Sequence, residues 1–112
     1  MPPITMVQIK PTFQFAATGT TQKFRINNSG YITDFILILP NFTNAVTGTL
    51  TIEDDEGNTI YTDASAPRAR NATYVVTGIR VPVDEGFNFN LTISGVAGGS
   101  GGLAKVKAFL GN

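Results

Sequence analysis

Phe87-Asn-Phe-Asn-Leu-Thr-Ile-Ser94 alternates without a break. Its odd positions are Phe87, Phe89, Leu91 and Ile93, and its even positions are Asn88, Asn90, Thr92 and Ser94. A period of two sends one row to a core and the other to water, the pattern of a half-buried β-strand. Just downstream, Leu103 to Leu110 repeats the pattern, with Ala104, Val106, Ala108 and Leu110 on one side and Lys105 and Lys107 on the other. No segment reads with the 3.6-residue period of a helix.

Working outward, Thr49 to Asp54 places Leu50 and Ile52 inward, and Asn58 to Thr62 returns with Ile60 inward. Between them Asp55-Glu56-Gly57-Asn58 supplies residues that tolerate a tight hairpin. Thr21 to Ile26 buries Phe24 and Ile26, and Tyr74 to Val81 buries Val75, Ile79 and Val81. Ile4 to Ile9, Phe13 to Ala17 and Tyr31 to Leu39 complete a set of about eight short strands. That spacing predicts an all-β, two-sheet antiparallel sandwich, a jelly roll or related Greek key, as one domain over residues 1–112. An immunoglobulin-like sandwich is the runner-up, without the Cys and Trp of the antibody type. Pro11, Pro40, Pro67 and Pro82 fall at strand ends or in loops, where a missing N–H costs little. Asp63 to Thr73, which contains Arg68 and Arg70 as candidate loop contacts, reads as a long connection. Gly95 to Gly102 reads as a glycine-rich loop, mobile unless something packs on it.

Composition narrows the chemistry by exclusion. The chain has no Cys and no His. That rules out disulfides, thiolate and His-dependent zinc sites, and the Ser-His and Cys-His nucleophile pairs. Asp54, Asp55 and Glu56 sit at a hairpin tip, where water keeps carboxylates ionised, whereas general acid work needs a shielded carboxyl. The same acidic turn fails the calcium-loop pattern, because Gly57 falls at position four from Asp54 and not at position six. The glycine-rich loop precedes a strand and lacks a following Gly-Lys-Ser/Thr, so it does not resemble a phosphate cradle. The expectation is a non-enzymatic protein with no metal and no cofactor.

Eight basic and eight acidic residues give a net charge of zero, which argues against nucleic acid as a partner. The longest apolar run, Phe35 to Leu39, is far short of the roughly 20 residues of a membrane helix. No signal peptide is visible at Met-Pro-Pro-Ile-Thr-Met, so synthesis in a cytoplasm is expected. The four Asn-x-Ser/Thr sequons read as coincidence in a chain this rich in Asn and Thr. A glycan-binding role would have to use Tyr31, Tyr61, Tyr74 or Phe109, together with the Asp63–Thr73 segment, and there is no Trp to stack on a sugar.

One stretch does not fit a simple sandwich. In Tyr31 to Leu39 the residues Tyr31, Thr33, Phe35, Leu37 and Leu39 share one face, and Ile32, Asp34, Ile36 and Ile38 the other. A strand in a two-layer sandwich has one core face, yet neither row looks wet. Covering Ile36 and Ile38 contributes about 1.5–3 kcal/mol each. Either a loop or the N-terminal segment of the same chain covers them, or a neighbouring subunit does. Ile32, Ile36 and Ile38 are therefore candidate interface residues, with Phe109 raising the same question beside Lys105 and Lys107.

The whole chain resembles the small virion proteins of tailed bacteriophages, most closely the β-sandwich capsid decoration (cement) proteins. The resemblance rests on Thr-, Asn- and Gly-rich strands, the absence of Cys, His and Trp, and the signal-less start. It rests also on the hairpin Thr49-Leu-Thr-Ile-Glu-Asp-Asp-Glu-Gly-Asn-Thr-Ile-Tyr-Thr62 and the closing strand Ala104-Lys-Val-Lys-Ala-Phe-Leu-Gly111. It implies a virion component that binds the outside of an assembled head, often as a trimer, and stabilises it by bridging major capsid subunits. It also implies an extended N-terminal arm, which Met1-Pro2-Pro3 would begin. Tail or fibre components that bind receptors or glycans share the style and form the alternative. No catalytic residue is carried over from the resemblance.

Overall fold

The computed structural model describes residues 7–111, and over 64–69 the backbone alone. Among the described residues ten strands form two sheets, and every pairing is antiparallel. The first sheet holds β1 (Val7–Ile9), β2 (Thr12–Phe15), β4 (Gly30–Leu39), β7 (Ala72–Val76), β8 (Val81–Val83) and β10 (Gly102–Gly111). The second holds β3 (Thr21–Arg25), β5 (Thr47–Glu53), β6 (Thr59–Ala69) and β9 (Asn88–Ile93). The expected arm at residues 1–3, and Ile4 to Met6 of the expected first strand, lie outside the described residues.

The six strands of the first sheet occupy four lanes. β1 and β2 both pair with β10, over Val7↔Leu110 to Ile9↔Ala108 and over Thr12↔Lys105 to Phe15↔Gly102. Pro11 breaks this lane because it has no N–H to give, while its carbonyl still accepts from Val106 N at 3.0 Å. On the far side of β4, β7 and β8 share the other edge lane. The order is thus β1/β2, β10, β4, β7/β8 over β3, β9, β5, β6. Apart from the β5–β6 hairpin and the two interrupted lanes, every connection crosses from one sheet to the other. Four lanes over four with this connectivity make a jelly roll.

Between the sheets the alternating rows interdigitate. Phe13, Phe15, Phe35, Phe42 and Phe89 are fully buried, with Leu37, Leu50, Ile52, Leu91 and Val106 packed among them. Phe42, from the connection after β4, meets Phe15 edge-on at 5.8 Å between ring centroids and closes one end of the core. β9 and β10 bury the residues that their alternation predicted.

Elsewhere the phase of alternation differs from the sequence reading, and each difference has a backbone cause. Ile32 does not share a face with Ile36 and Ile38: it is fully buried, as are Phe35 and Leu37. A β-bulge explains this, since Phe109 pairs with Asp34 while Leu110 pairs with Ile32, leaving Thr33 as an extra residue. Ile60 is exposed and Tyr61 turns inward, because the ladder slips between Ile52↔Tyr61 and Glu53↔Thr59. Val75 is 66% exposed, and Tyr74 packs towards the core opposite Leu37. Tyr74 to Val81 is not one strand: the chain turns over Thr77–Arg80, so Val81 is buried in the separate phase of β8.

The two expected loops are also more ordered than their composition suggests. Most of Asp63 to Thr73 is strand, with Gly48↔Arg68 and Thr47↔Ala69 resuming the β5–β6 ladder after a register shift beyond Leu50↔Asp63. The glycine-rich connection is packed down. Asn44 N donates to Ala97 O at 2.9 Å, Gly98 N donates to Ala17 O at 2.9 Å, and Ala97 is fully buried. Gly101 has φ +75°, and a Cβ there would lie 1.9 Å from the Phe15 carbonyl oxygen. Only glycine lets the chain pass this close.

Candidate interaction face

The outer faces of the two sheets differ in kind. On the second sheet the outward rows are Thr21, Lys23 and Arg25 from β3, Asn88, Asn90 and Thr92 from β9, and Thr49, Thr51 and Glu53 from β5. Lys23 Nζ meets Glu53 Oε1 at 3.0 Å, and Thr51 Oγ1 donates to Asn90 O at 3.3 Å. This face is polar over β3, β9 and β5, and exposes Ile60 at its β6 edge.

On the first sheet the outward row is apolar at its centre. Ile36 pairs with Val75 on one side and Lys107 on the other, and Ile38 pairs with Thr73 and Lys105. Phe109 lies between Asp34 of β4 and Gln8 of β1, and Leu103 is exposed opposite Gln14 of β2. Ile36, Ile38 and Phe109 are half-buried, and Val75 is largely in water. The face expected to join Ile32 to Ile36 and Ile38 therefore exists without Ile32 and with Val75. That residue was missed because its own strand was read in the opposite phase. Covering Val75 alone contributes roughly 1–2 kcal/mol.

Charges frame this patch. Lys105 and Lys107 stand in the β10 row, and Lys10, between the buried Ile9 and Pro11, points to the same side. Asp34 is the acidic residue of the patch, and Thr33 Oγ1 donates to its Oδ2 at 2.8 Å. At one end of the face the Arg80 guanidinium carbon sits 4.1 Å above the Tyr31 ring, a cation–π contact.

The candidate loop contacts divide. Arg70 is internal to the fold: its Nη1 donates to Phe42 O and, at 3.0 Å, to Thr43 O, while Asn71 N donates to Pro40 O at 3.0 Å. It pins the connection that carries Phe42 over the core. The side chain of Arg68 lies outside the described residues.

The acidic turn has a similar internal explanation. Asp54 Oδ1 accepts from Glu56 N at 2.9 Å and Asn58 N at 2.8 Å, and Oδ2 accepts from Asn58 Nδ2 at 3.0 Å. These bonds, that from the Asn58 side chain first, hold its carboxyl below the usual carboxylate value. The carboxylate is occupied in closing the hairpin. Among the described residues no group of three or more acidic side chains is arranged to hold a metal ion, and no pocket opens on the surface. Tyr61 packs edge-on against Phe35 at 6.3 Å, and Tyr74 faces the core, so these two rings do not form an exposed platform for a sugar.

No family model matches the chain, and no curated protein matches it. Among solved structures it is similar to a chain of infectious bursal disease virus, Gx strain, with TM-score 0.45 and 14% identity, covering 94% of this chain and 31% of that one. A chain of the Gt strain gives TM-score 0.39 and 12% identity, covering 93% and 30%. This chain spans about a third of the length of those chains.

Proposed function

We propose that the chain is a non-enzymatic structural subunit of a virion. In this reading it is a decoration protein that binds the outside of a phage head and stabilises it through the outer face of its first sheet. The observation that carries this reading is the contrast between the two outer faces. One is mainly Thr, Asn and a Lys23–Glu53 pair, with Ile60 exposed at its edge, and the other sets Ile36, Ile38 and Val75 together with Phe109 nearby on β10. An exposed apolar patch on a small sandwich is a liability unless a partner covers it. The resemblance of the whole chain to cement proteins supplies the kind of partner, a shell of major capsid subunits.

The test is co-sedimentation of purified protein with phage heads, comparing the native chain with Ile36→Glu and Ile38→Glu. Loss of binding by at least tenfold in variants whose melting is unchanged supports the proposal. Folded variants that bind heads as the native chain does would sink it.

A further inference from the structure

The five carboxylates that do not lie along the sheets or in the core collect at one end of the sandwich. Asp54, Asp55 and Glu56 form the β5–β6 turn, and Asp84 and Glu85 form the β8–β9 turn. The two turns touch. A Cβ on Gly86 would lie 3.5 Å from Asp55 Cβ and 4.0 Å from an Arg25 guanidinium nitrogen. Ser29 Oγ donates to Asp84 Oδ1, tying the start of β4 to the same end. Arg25 is the basic residue in this cluster, so a chain of zero net charge carries a strongly negative tip. Beside that tip Ile60, two residues beyond Asn58, is 39% exposed.

The first sheet's outer face is the complement of this tip. It offers an apolar patch of Ile36, Ile38 and Val75 flanked by Lys10, Lys105 and Lys107, against the carboxylate of Asp34. The tip offers its carboxylates, with the exposed Ile60 of β6 a few residues along the chain from them. We propose that the occupant of this face is the acidic tip of a second copy of the chain. Ile60 sits on the patch, and the Asp55, Glu56 and Glu85 carboxylates meet the three lysines. This rests on the proposed function and goes beyond it: in the free protein the tip of a second copy covers the face, and it gives way where the head binds. Tip and face lie on different parts of one molecule, so the contact is head-to-side and every copy has one of each free. Repeated by rotation such a contact closes a ring, and repeated without closure it runs on as a filament. A face-to-face dimer is disfavoured because it would set two lysine-rich surfaces against each other.

Charge exchange tests the contact directly. The four side chains concerned are exposed, so the folded state tolerates their reversal. Sedimentation equilibrium of the full native chain at low salt should give species larger than a monomer, and association should weaken as salt rises. K105E/K107E and D55K/E56K should each weaken association by about tenfold or more, and the chain carrying all four substitutions should regain most of the native affinity. Two results would overturn the inference: a native chain that stays monomeric, or a four-substituted chain no better than either parent. A D55K/E56K variant that associates normally would also overturn it, pointing instead to a face-to-face dimer. A monomer whose head binding still depends on Ile36 would remove this inference while leaving the proposed function standing. A monomer indifferent to Ile36 would remove both.

Discussion

Ile32 and Ile36, four residues apart on one strand, point to opposite sides of the sheet, the first fully buried and the second facing outward beside Val75 and Lys107. Four residues of regular strand would keep them on the same side. The bulge at Thr33 separates them, with Ile79 N donating to the Thr33 carbonyl at 3.1 Å from the other edge.

This separation gives paired mutations with unequal costs. Ile32→Ala empties core volume and should lower unfolding free energy by about 2–5 kcal/mol. Ile36→Ala should cost the monomer about 1 kcal/mol or less. Urea denaturation of both variants decides it, and equal losses would mean that β4 has no bulge.

Arg70 supports the loop over the core by bonding two carbonyls across 28 and 27 residues of chain. Arg70→Ala should destabilise by about 1–2 kcal/mol, since both carbonyls then depend on water. Arg70→Lys should recover part of this, because an ammonium donates but lacks the planar fork. Thermal melts of the two variants give the comparison.

Two glycines with positive φ should respond differently to alanine. Gly57, at φ +85°, has nothing within 4 Å of an added Cβ, so Gly57→Ala should cost roughly 1–2 kcal/mol from backbone strain alone. Gly101→Ala adds a collision with the Phe15 carbonyl to the same strain, and should cost about 3 kcal/mol or more. Equal losses would show that the glycine-rich connection does not lie against β2.

Acid should weaken the fold through two turns. The Asp54 carboxyl is held below its ordinary value of 3.8 chiefly by the Asn58 side chain, and Asp84 likewise by the Ser29 hydroxyl. A carboxyl with a lowered folded-state value binds protons more readily when unfolded. Its contribution is therefore complete above 3.8 and disappears as pH falls through the lowered value. Stability should be flat from neutral pH down to the carboxylate range and then decline. Asp54→Asn and Asp84→Asn should each flatten that decline, as read from melting temperature against pH. A slope unchanged in both variants would place the acid sensitivity elsewhere.

Much of the architecture was legible in alternation alone. β9 and β10 bury Phe89, Leu91, Val106 and Ala108 as their period requires, because a regular strand converts spacing directly into sidedness. Legibility ended where the backbone departs from regularity. A bulge is a mismatch against a neighbouring strand, so nothing within Tyr31 to Leu39 marks Thr33 as the extra residue. Tyr74 and Val75 are both strand-forming and both apolar, and only pairing with Leu37 and Ile36 selects which one faces inward. Pro67 suggested a loop, yet it lies within β6 at the register shift between Leu50↔Asp63 and Gly48↔Arg68, on an edge strand where proline is tolerated. Of the candidate face, Ile36 and Ile38 were readable as an apolar row that also took in Ile32, and Phe109 as a separate outward residue beside Lys105 and Lys107. Arg70 was not readable as a loop clasp, because its acceptors are backbone oxygens distant in sequence.

The interruptions at Pro11 and at Thr77–Arg80 have one more consequence. Both outer lanes of the first sheet are broken partway, so neither presents a continuous ladder for an incoming strand to zip onto. Anything that attaches to this sheet must grip side chains on its flat surface. Such an attachment is adjustable one residue at a time, and it can be tightened, loosened or redirected to a new neighbour while the sandwich beneath keeps its weave.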